Sequence, residues 1–375
     1  MTTALNMVQH LRQGRSLHID RNNNNRYRII AQEPDGSRTA YCFGIPIYTP
    51  KGRLINRKFL CNEHSAYFAG SNAKITIEND ILMENSSGRC HISLPKAFIT
   101  KQETIISCQR LKISPTFNGI LCRADCRNEQ GFSFKVTTQH NFFKVRQNGK
   151  YFALMSEEFK PFITVSCIGT VDEHDRIIAP AEIHLESTSD LEYVLTISSL
   201  STNGSYVWYE INLHENKLFQ DTTVESKHPK ENNAFGGTAF IGKTEMYGEQ
   251  WLYTRPDFSK ISETFSKQIR RVVLHLPQYT SNGDTLSAIG IASRFCSFGS
   301  TWEKKIAPTV AVSESTSLNR YQSIDITRFA VDPQTRSLLR TDGMILRAKG
   351  QKSGAAIVAT GDSYHTPQIL EINYI

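Results

Sequence analysis

Short apolar runs separated by turn residues dominate the last third of the chain. Most of these runs are rich in Ile, Val and Leu and have Gly, Pro, Asn or Asp close by; they span residues 269–276, 287–292, 309–312, 322–327, 344–348 and 355–360. In the fourth run Ile324 and Ile326 fall on one face, whereas polar residues fall on the other. Because successive strand residues point to opposite faces, this alternation predicts half-solvated strands of a β-sandwich or jelly roll.

The preceding residues show the same cadence, and no stretch favours a long helix. Their apolar runs span residues 39–48, 73–82, 88–94, 104–113, 119–124, 132–138, 142–145, 162–169, 177–186, 192–197 and 206–213. Asn148-Gly149 stands between two such runs, which is a strong signal for a β-hairpin. The last segment, residues 369–375, alternates like a strand, and we expect it to pair inside a sheet.

The first 30 residues differ from the rest. They contain one short helical pattern from Ala4 to Arg12, a run of four Asn at 22–25, and five basic residues against one acidic residue. Successive Asn residues favour turns and solvated backbone. Two interpretations stay open for this basic, polar arm: a floppy terminus, or a segment that becomes ordered against a neighbouring subunit.

A chain of 375 residues exceeds one ordinary domain. We therefore predict an all-β protein of two packed β-sandwich units: an arm at 1–30, a β-sandwich domain at 31–216 that could divide into two near residue 150, and a jelly roll at 217–375. A hydrophobic content of 39% is enough for real cores.

Composition and charge exclude several classes of protein. No run approaches 18 consecutive apolar residues, so no membrane span is expected, and the first residues lack the features of a secretory signal. The net charge of +7 comes from the basic arm and a mildly basic C-terminal domain, neither of which is a concentrated patch interleaved with aromatic residues, so we expect no nucleic-acid partner. The eight cysteines match no zinc spacing, and we expect them to be buried, reduced thiols.

Catalytic motifs with recognisable spacing are missing from the sequence. It holds no nucleophile elbow, phosphate-binding loop, zinc-protease motif or dinucleotide fingerprint. The densest group of potential ligands, Asp172-Glu-His-Asp175, lies between two predicted strands and is typical of a charged hairpin tip. We therefore expect no enzyme activity.

The order of features after residue 217 resembles the disaggregatase-related DNRLRE domain, a jelly roll also described as a carbohydrate-binding module family. The matching features are Asp221-Thr-Thr-Val, Asn232-Asn-Ala-Phe-Gly-Gly237, Phe240-Ile-Gly242, the strand at 269–276, Ser323-Ile-Asp-Ile-Thr327, Asp342-Gly-Met-Ile-Leu346 and Asp362-Ser-Tyr364. The resemblance covers roughly residues 217–375. The segment before it more weakly resembles the region that precedes such domains in Rhs-type, wall-associated bacterial surface proteins.

The resemblance implies a carbohydrate-binding site built on exposed aromatic rings and polar groups. The candidate residues are Tyr247, Trp251, Tyr253, Trp302, Tyr321, Tyr364 and His365. Trp251 and Tyr253 share a strand face and would suit a platform, although the same alternation suits a core pair, since aromatic side chains bury large areas. Trp302 follows a loop-like stretch, which favours exposure.

A calcium site is the one cofactor that the residues suggest. Asp221 with Glu225, and Asp325 with Asp362, could supply an oxygen-rich site of the kind that many jelly-roll carbohydrate modules carry. The alternative is that these carboxylates fix loops through local hydrogen bonds.

Two functions from different classes remain. In the first, the C-terminal module of a non-enzymatic protein binds cell-surface or extracellular polysaccharide. In the second, the chain is a structural subunit of a bacterial surface, filament or phage-like assembly, with the arm making homo-oligomer contacts by strand addition. A third reading is an accessory part of a polysaccharide-degrading system. The localisation expected is synthesis in the cytoplasm, with export by a non-standard route or within a particle.

Overall fold

The computed structural model describes residues 3–20, 24–94, 99–127, 131–139, 144–156, 160–201, 206–280, 285–318, 320–332, 342–350 and 354–375. The chain divides into two compact units: a central unit, Tyr48–Glu215, and a terminal unit that joins Ala4–Ile47 to Asn216–Ile375. The predicted all-β class is confirmed, since antiparallel sheets build both units. The division differs from the predicted domains, because residues 31–47 lie in the terminal unit.

The N-terminal residues begin the terminal unit. They form α1 (Ala4–Leu11), β1 (His18–Ile19), β2 (Arg28–Gln32) and β3 (Arg38–Phe43). Helix α1 buries the apolar residues that recur at helical spacing, Ala4, Met7, Val8 and Leu11. The buried guanidinium of Arg12 lies 2.6 Å from a carboxylate oxygen of Glu33. Where the structure describes it, the predicted arm is therefore a packed part of the fold and not a free extension.

The central unit follows next along the chain. Its strands are β4 (Leu60–Cys61), β5 (Ala66–Ala69), β6 (Lys74–Ile77), β7 (Asp80–Asn85), β8 (Gly88–Ser93), β9 (Ile99–Lys101), β10 (Ile106–Cys108), β11 (Leu111–Pro115), β12 (Gly119–Asp125), β13 (Gly131–Thr138), β14 (Lys144–Asn148), β15 (Tyr151–Met155), β16 (Pro161–Val171), β17 (Ile177–Ala179), β18 (Ala181–Ser189), β19 (Glu192–Ser199) and β20 (Tyr206–Leu213). One sheet has the order β14-β15-β16-β20-β12-β11-β10-β9, with β17 beside β16, and the other has the order β18-β19-β13-β8-β7-β6-β5-β4.

Aromatic contacts between these two sheets make the central unit a sandwich. Phe134 of β13 stacks on Tyr209 of β20 with ring centroids 5.7 Å apart, and Phe152 of β15 lies 5.9 Å from Tyr193 of β19. Each sheet contains strands from before and after residue 150, as when β12 pairs with β20. The central unit therefore does not divide into two sub-units near residue 150.

Two turns of the central unit match their sequence signals. Strands β14 and β15 form the hairpin expected at Asn148-Gly149, and the Asn148 carboxamide oxygen accepts hydrogen bonds from the N–H groups of Lys150 and Tyr151. The 172–175 segment is a hairpin tip between β16 and β17, where Asp172 accepts from the backbone N–H of Arg176. Both turns depend on the tendency of Asn and Asp to bond their own backbone.

The remaining strands complete the terminal unit. They are β21 (Phe219–Glu225), β22 (Thr238–Thr244), β23 (Gly248–Pro256), β24 (Ile269–Pro277), β25 (Leu286–Ile291), β26 (Pro308–Leu318), β27 (Tyr321–Asp325), β28 (Met344–Ala348), β29 (Gly354–Ala359) and β30 (Ile369–Tyr374), with a 3₁₀ turn at Phe258–Lys260 and short helices α2 (Ser262–Phe265) and α3 (Thr327–Val331). Their order is β1-β2-β3-β30-β24-β27-β26-β25-β28-β23-β22-β29, with β21 beside β23.

Strand β26 gives the terminal unit its layered form. It pairs with β25 along its first part and with β27 along its last part, so it passes from one half of the sheet to the other. A single apolar cluster contains Leu274 and Ile372 from one half and Leu252 and Ile241 from the other. Two halves that enclose one core are the arrangement of a β-sandwich.

The last strand is paired on both sides, as predicted. Strand β30 lies between β3 and β24, so residues from the two ends of the chain meet in one sheet. Nearby, Gly44 accepts a hydrogen bond from the N–H of Leu218 at 2.6 Å. The two points where the chain passes between the units are therefore adjacent in the terminal unit.

Cysteine burial and helix length bear on two further expectations. Of the eight free cysteines, Cys61 and Cys296 are exposed and the others are buried, so the prediction of buried thiols is wrong for these two. Burial raises the pKa of the Cys42 and Cys90 thiols to about 12.

In the described part of the chain, no helix has the length and apolar character needed to cross a membrane.

Candidate ligand-binding surface

Strand β23 is buried on both of its faces. Leu252 points into the main core of the terminal unit, whereas Trp251 and Tyr253 point the other way into a second apolar cluster with Phe295. The 292–307 loop, between β25 and β26, covers this second cluster. Trp251 is 7% exposed and Tyr253 is fully buried, so they do not form the exposed platform that the sequence suggested.

Tyr253 fastens the loop to the strand. Its hydroxyl accepts a hydrogen bond from the N–H of Ile306 at 3.1 Å and lies 3.3 Å from the carbonyl oxygen of the same residue. Burial raises the pKa of Tyr253 to about 12. The phenol is therefore a structural group that holds the end of the 292–307 loop.

Trp302 is the predicted aromatic residue that reaches the surface of this loop. It is partly exposed and packs on Trp251 with ring centroids 5.0 Å apart. The exposed ammonium of Lys305 lies 4.1 Å from the centroid of the Trp302 ring, within cation–π range. Lys304 is exposed beside it, and the guanidinium of Arg347 lies 5.9 Å from the centroid of the Trp251 ring.

Phe298 adds a second exposed ring to the same loop. It is 47% exposed and its ring centroid lies 5.4 Å from that of buried Phe235. We call Phe298, Trp302, Lys304 and Lys305 the loop surface. Its Trp302–Lys305 contact joins an aromatic face to a positive charge, a combination that can stack on an apolar ring face and pair with an anion.

Hydrogen bonds from a second segment hold the loop in place. The Asn232 carboxamide donates to the carbonyl oxygens of Ser297 and Ser300 at 2.7 and 2.8 Å. The N–H of Glu303 donates to the carbonyl oxygen of Pro229 at 3.0 Å. A surface loop with these backbone anchors presents its side chains in a defined arrangement, which lowers the entropy lost on binding.

The other predicted aromatic residues lie elsewhere and are mostly buried. Tyr247 is 3% exposed and packs against Phe240, Tyr321 is 7% exposed beside His275, and Tyr364 is 1% exposed. His365 is partly exposed. The candidates therefore do not converge on one surface, because most of them supply core area.

Two of the predicted calcium ligands belong to a buried ion cluster instead. The Lys217 ammonium pairs with the Asp362 carboxylate, and Asp221 accepts a hydrogen bond from the N–H of Gly361. Burial raises the pKa of Asp221 to about 6, while Lys217 and the Gly361 N–H act in the opposite direction. Lys217 supplies the positive charge that the sequence analysis assigned to calcium.

The other two predicted ligands are remote from this cluster. Asp325 pairs with Arg271 at 3.2 Å and accepts hydrogen bonds from Thr327 at the start of α3. Glu225 lies four residues after Asp221 on β21, which separates their Cα atoms by roughly 13 Å at strand spacing. The predicted set of four carboxylates is therefore not assembled.

Glu225 instead meets two residues that the sequence analysis did not select. One ligand atom from each of Glu225, His228 and Glu231 lies within 4.8 Å of the others. The signal in the sequence is a Glu-x-x-His-x-x-Glu pattern at the end of a strand. Lys304, Lys305 and Phe298 were also missed, although they lie in the same loop-like stretch that identified Trp302.

No protein-family model matches this sequence, and a search of curated proteins gives no significant match.

Proposed function

We propose that the terminal unit is a non-catalytic recognition module that binds anionic polysaccharide at the loop surface. The observation that supports this most is the partly exposed ring of Trp302 with the exposed ammonium of Lys305 4.1 Å from its centroid; Phe298 and Lys304 are further exposed side chains of the same loop. Sugar rings present apolar faces that stack on aromatic side chains, and the carboxylate or sulfate groups of an acidic polymer would pair with the lysines.

Burial of the other candidate rings narrows the proposal to this loop. Trp251 packs against Trp302 and is almost entirely buried. A ligand would therefore contact Trp302, and its affinity would also depend on the packing of Trp302 against Trp251. The DNRLRE resemblance supports the class of ligand, and the lysines support its charge.

Binding by the purified protein tests the proposal. Calorimetry with uronate-containing, sulfated and neutral polysaccharides should show binding to the acidic polymers that weakens as salt is added, because exposed charge contacts are screened. Trp302→Ala should weaken binding at least about tenfold, as expected for an anchoring aromatic residue. Trp208→Ala, at a partly exposed tryptophan of the central unit, is the matched control and should bind like wild type.

Charge variants separate stacking from ion pairing. Lys305→Ala should reduce both the affinity for the acidic polymer and its salt dependence, whereas Lys51→Ala, at an exposed turn of the central unit, should change neither. Equal affinity for neutral and acidic polymers would refute the charge assignment. Absence of binding to all polymers, or full binding by Trp302→Ala, would refute the site.

Assembly through the N-terminal arm has less support. That function required a free segment to add to a neighbour, but β1, β2 and β3 extend the sheet of their own terminal unit. Light scattering after size exclusion separates the two functions, since a concentration-independent monomer that binds polysaccharide fits recognition and not assembly.

A further inference from the structure

The end of β21 and the turn after it bring together three side chains of metal-binding type. Glu225 is the last residue of the strand, and the N–H of Glu231 donates to the carbonyl oxygen of His228 at 3.0 Å. This hydrogen bond closes a turn at Pro229, which returns Glu231 towards the strand end. One ligand atom from each of the three residues then lies within 4.8 Å of the other two.

The Glu225 carboxylate is held in a fixed orientation. Its side chain is fully buried, and its Oε2 accepts a hydrogen bond from the Gln250 carboxamide at 2.8 Å. Gln250 is itself oriented, because its Oε1 accepts from the N–H of Phe240 at 2.6 Å. A hydrogen-bonded chain of this kind behind a carboxylate is what orients ligands in known metal sites.

The other oxygen of Glu225 faces the histidine. Its Oε1 lies 2.8 Å from Nδ1 of His228, and the His228 side chain is 37% exposed. Burying a carboxylate is favourable only when a cation or strong hydrogen bonds compensate it. A metal ion bound next to His228 and Glu231 would add positive charge at the Glu225 oxygen that faces the histidine.

The donor set indicates the class of metal. Calcium takes six to eight oxygen ligands, whereas zinc and related ions accept imidazole nitrogen with carboxylate oxygen and use three protein ligands in open sites. We propose that Glu225, His228 and Glu231 bind a divalent transition-metal ion such as zinc, with a coordination position open to solvent.

Metal binding at this site would replace the contact between His228 and Glu225. The proton between Nδ1 of His228 and Oε1 of Glu225 must move, to Nε2 of the imidazole or to solvent, when a metal takes both ligand atoms. Because Pro229 lies between His228 and Glu231 and accepts a hydrogen bond from Glu303, the metal would also fix one anchor of the 292–307 loop. The site itself does not depend on the proposed polysaccharide function.

Zinc titration of the full chain tests the proposal. The two exposed thiols are first replaced, as Cys61→Ser and Cys296→Ser, because thiolates also bind zinc. Calorimetry should then give one zinc per chain. Glu225→Gln and His228→Ala should each weaken binding by at least about tenfold. His184→Ala is the matched control, since His184 and Glu186 form an exposed pair 3.7 Å apart, and it should bind like the parent.

Cobalt absorption and melting curves make the outcome decisive. Cobalt should give a spectrum of nitrogen and oxygen ligands in the parent and not in His228→Ala, and melting curves without metal should show a cooperative transition for the variant, so that lost binding is not lost folding. Absence of zinc binding, equal binding by all variants, or loss of binding on removal of the thiols would overturn the proposal. Because polysaccharide plays no part in these measurements, failure of the metal site is distinguishable from failure of the loop surface.

Discussion

Replacing Asp221 by Asn should change how the stability of the terminal unit depends on pH. Asp221 is 3% exposed, and its carboxylate shares one ammonium, that of Lys217, with the nearby Asp362. Burial raises the pKa of Asp221 from 3.8 to about 6 in the folded protein. The folded protein therefore keeps a proton on this carboxyl at pH values where the unfolded chain has lost it.

The size and sign of the effect follow from this difference in pKa. One pKa unit corresponds to about 1.4 kcal/mol, so the rise from 3.8 to about 6 is worth about 3 kcal/mol. The contribution of Asp221 to the free energy of unfolding is fully present below its unfolded pKa and is lost as pH rises through its folded pKa. Asn does not titrate and loses nothing over this range. The free energy of unfolding of Asp221→Asn, minus that of wild type, should therefore rise by about 3 kcal/mol as pH increases from about 3.5 to 7.5.

Guanidinium unfolding followed by tryptophan fluorescence measures this difference. In a Trp208→Phe background, the emission reports Trp251 and Trp302, which both lie in the terminal unit. Asp325→Asn is the matched control, because the pKa of Asp325 is lowered: burial acts to raise it, but the hydrogen bonds from Thr327 and the hydrogen bond and charge of Arg271 together outweigh that effect. Its stability difference should be constant above about pH 5. A constant difference for Asp221→Asn over the same range would refute the reasoning.

Four further substitutions, one of them a control, test the packing, each by the free energy of unfolding from guanidinium denaturation. Gly119→Ala places a Cβ 2.7 Å from a Cα of β20 and should cost about 3 kcal/mol or more. Gly149→Ala is its control, because the added Cβ would lie 3.8 Å from its nearest neighbour, and it should cost less than about 0.5 kcal/mol. Similar costs for the two variants would contradict the close approach of β20 to Gly119. His275→Leu leaves the Glu371 carboxylate without its partner at 3.1 Å and should cost about 3 kcal/mol, and a neutral result would show that this pair is not buried as described. Arg12→Ala should destabilise by a similar amount, and wild-type stability would mean that the N-terminal residues are not integral to the fold.

Local patterns predicted the strands but not their long-range partners. The apolar run at 344–348 coincides with β28, and the Asn148-Gly149 signal gave the hairpin, since both depend on neighbouring residues. The pairing of β3 with β30 depends on residues from opposite ends of the chain, and no local pattern encodes it. Ser323 was expected on a solvated face, but it is buried because it pairs with His275 at 2.8 Å.

The site was harder to predict for a related reason. Alternation on β23 indicates two faces, but it does not reveal that both are buried, so Trp251 and Tyr253 looked like a platform. Trp302 was identified from its loop context, and it is the candidate that lies on the proposed surface. Carboxylates such as Asp221 and Asp325 looked like one ligand set because sequence order does not show how far apart their strands, β21 and β27, lie.

The hydrogen bond between Gly44 and Leu218 brings together the two ends of the segment that forms the central unit. Because the chain leaves and re-enters the terminal unit at neighbouring residues, the segment between them can be deleted without straining the rest of the terminal unit. The central unit is thus inserted into the terminal unit, and replacing residues 48–215 by a short Gly-Ser linker from Ile47 to Asn216 should give a terminal unit that folds on its own. During synthesis the central unit can fold early, whereas the terminal unit can fold completely only after β30 has left the ribosome.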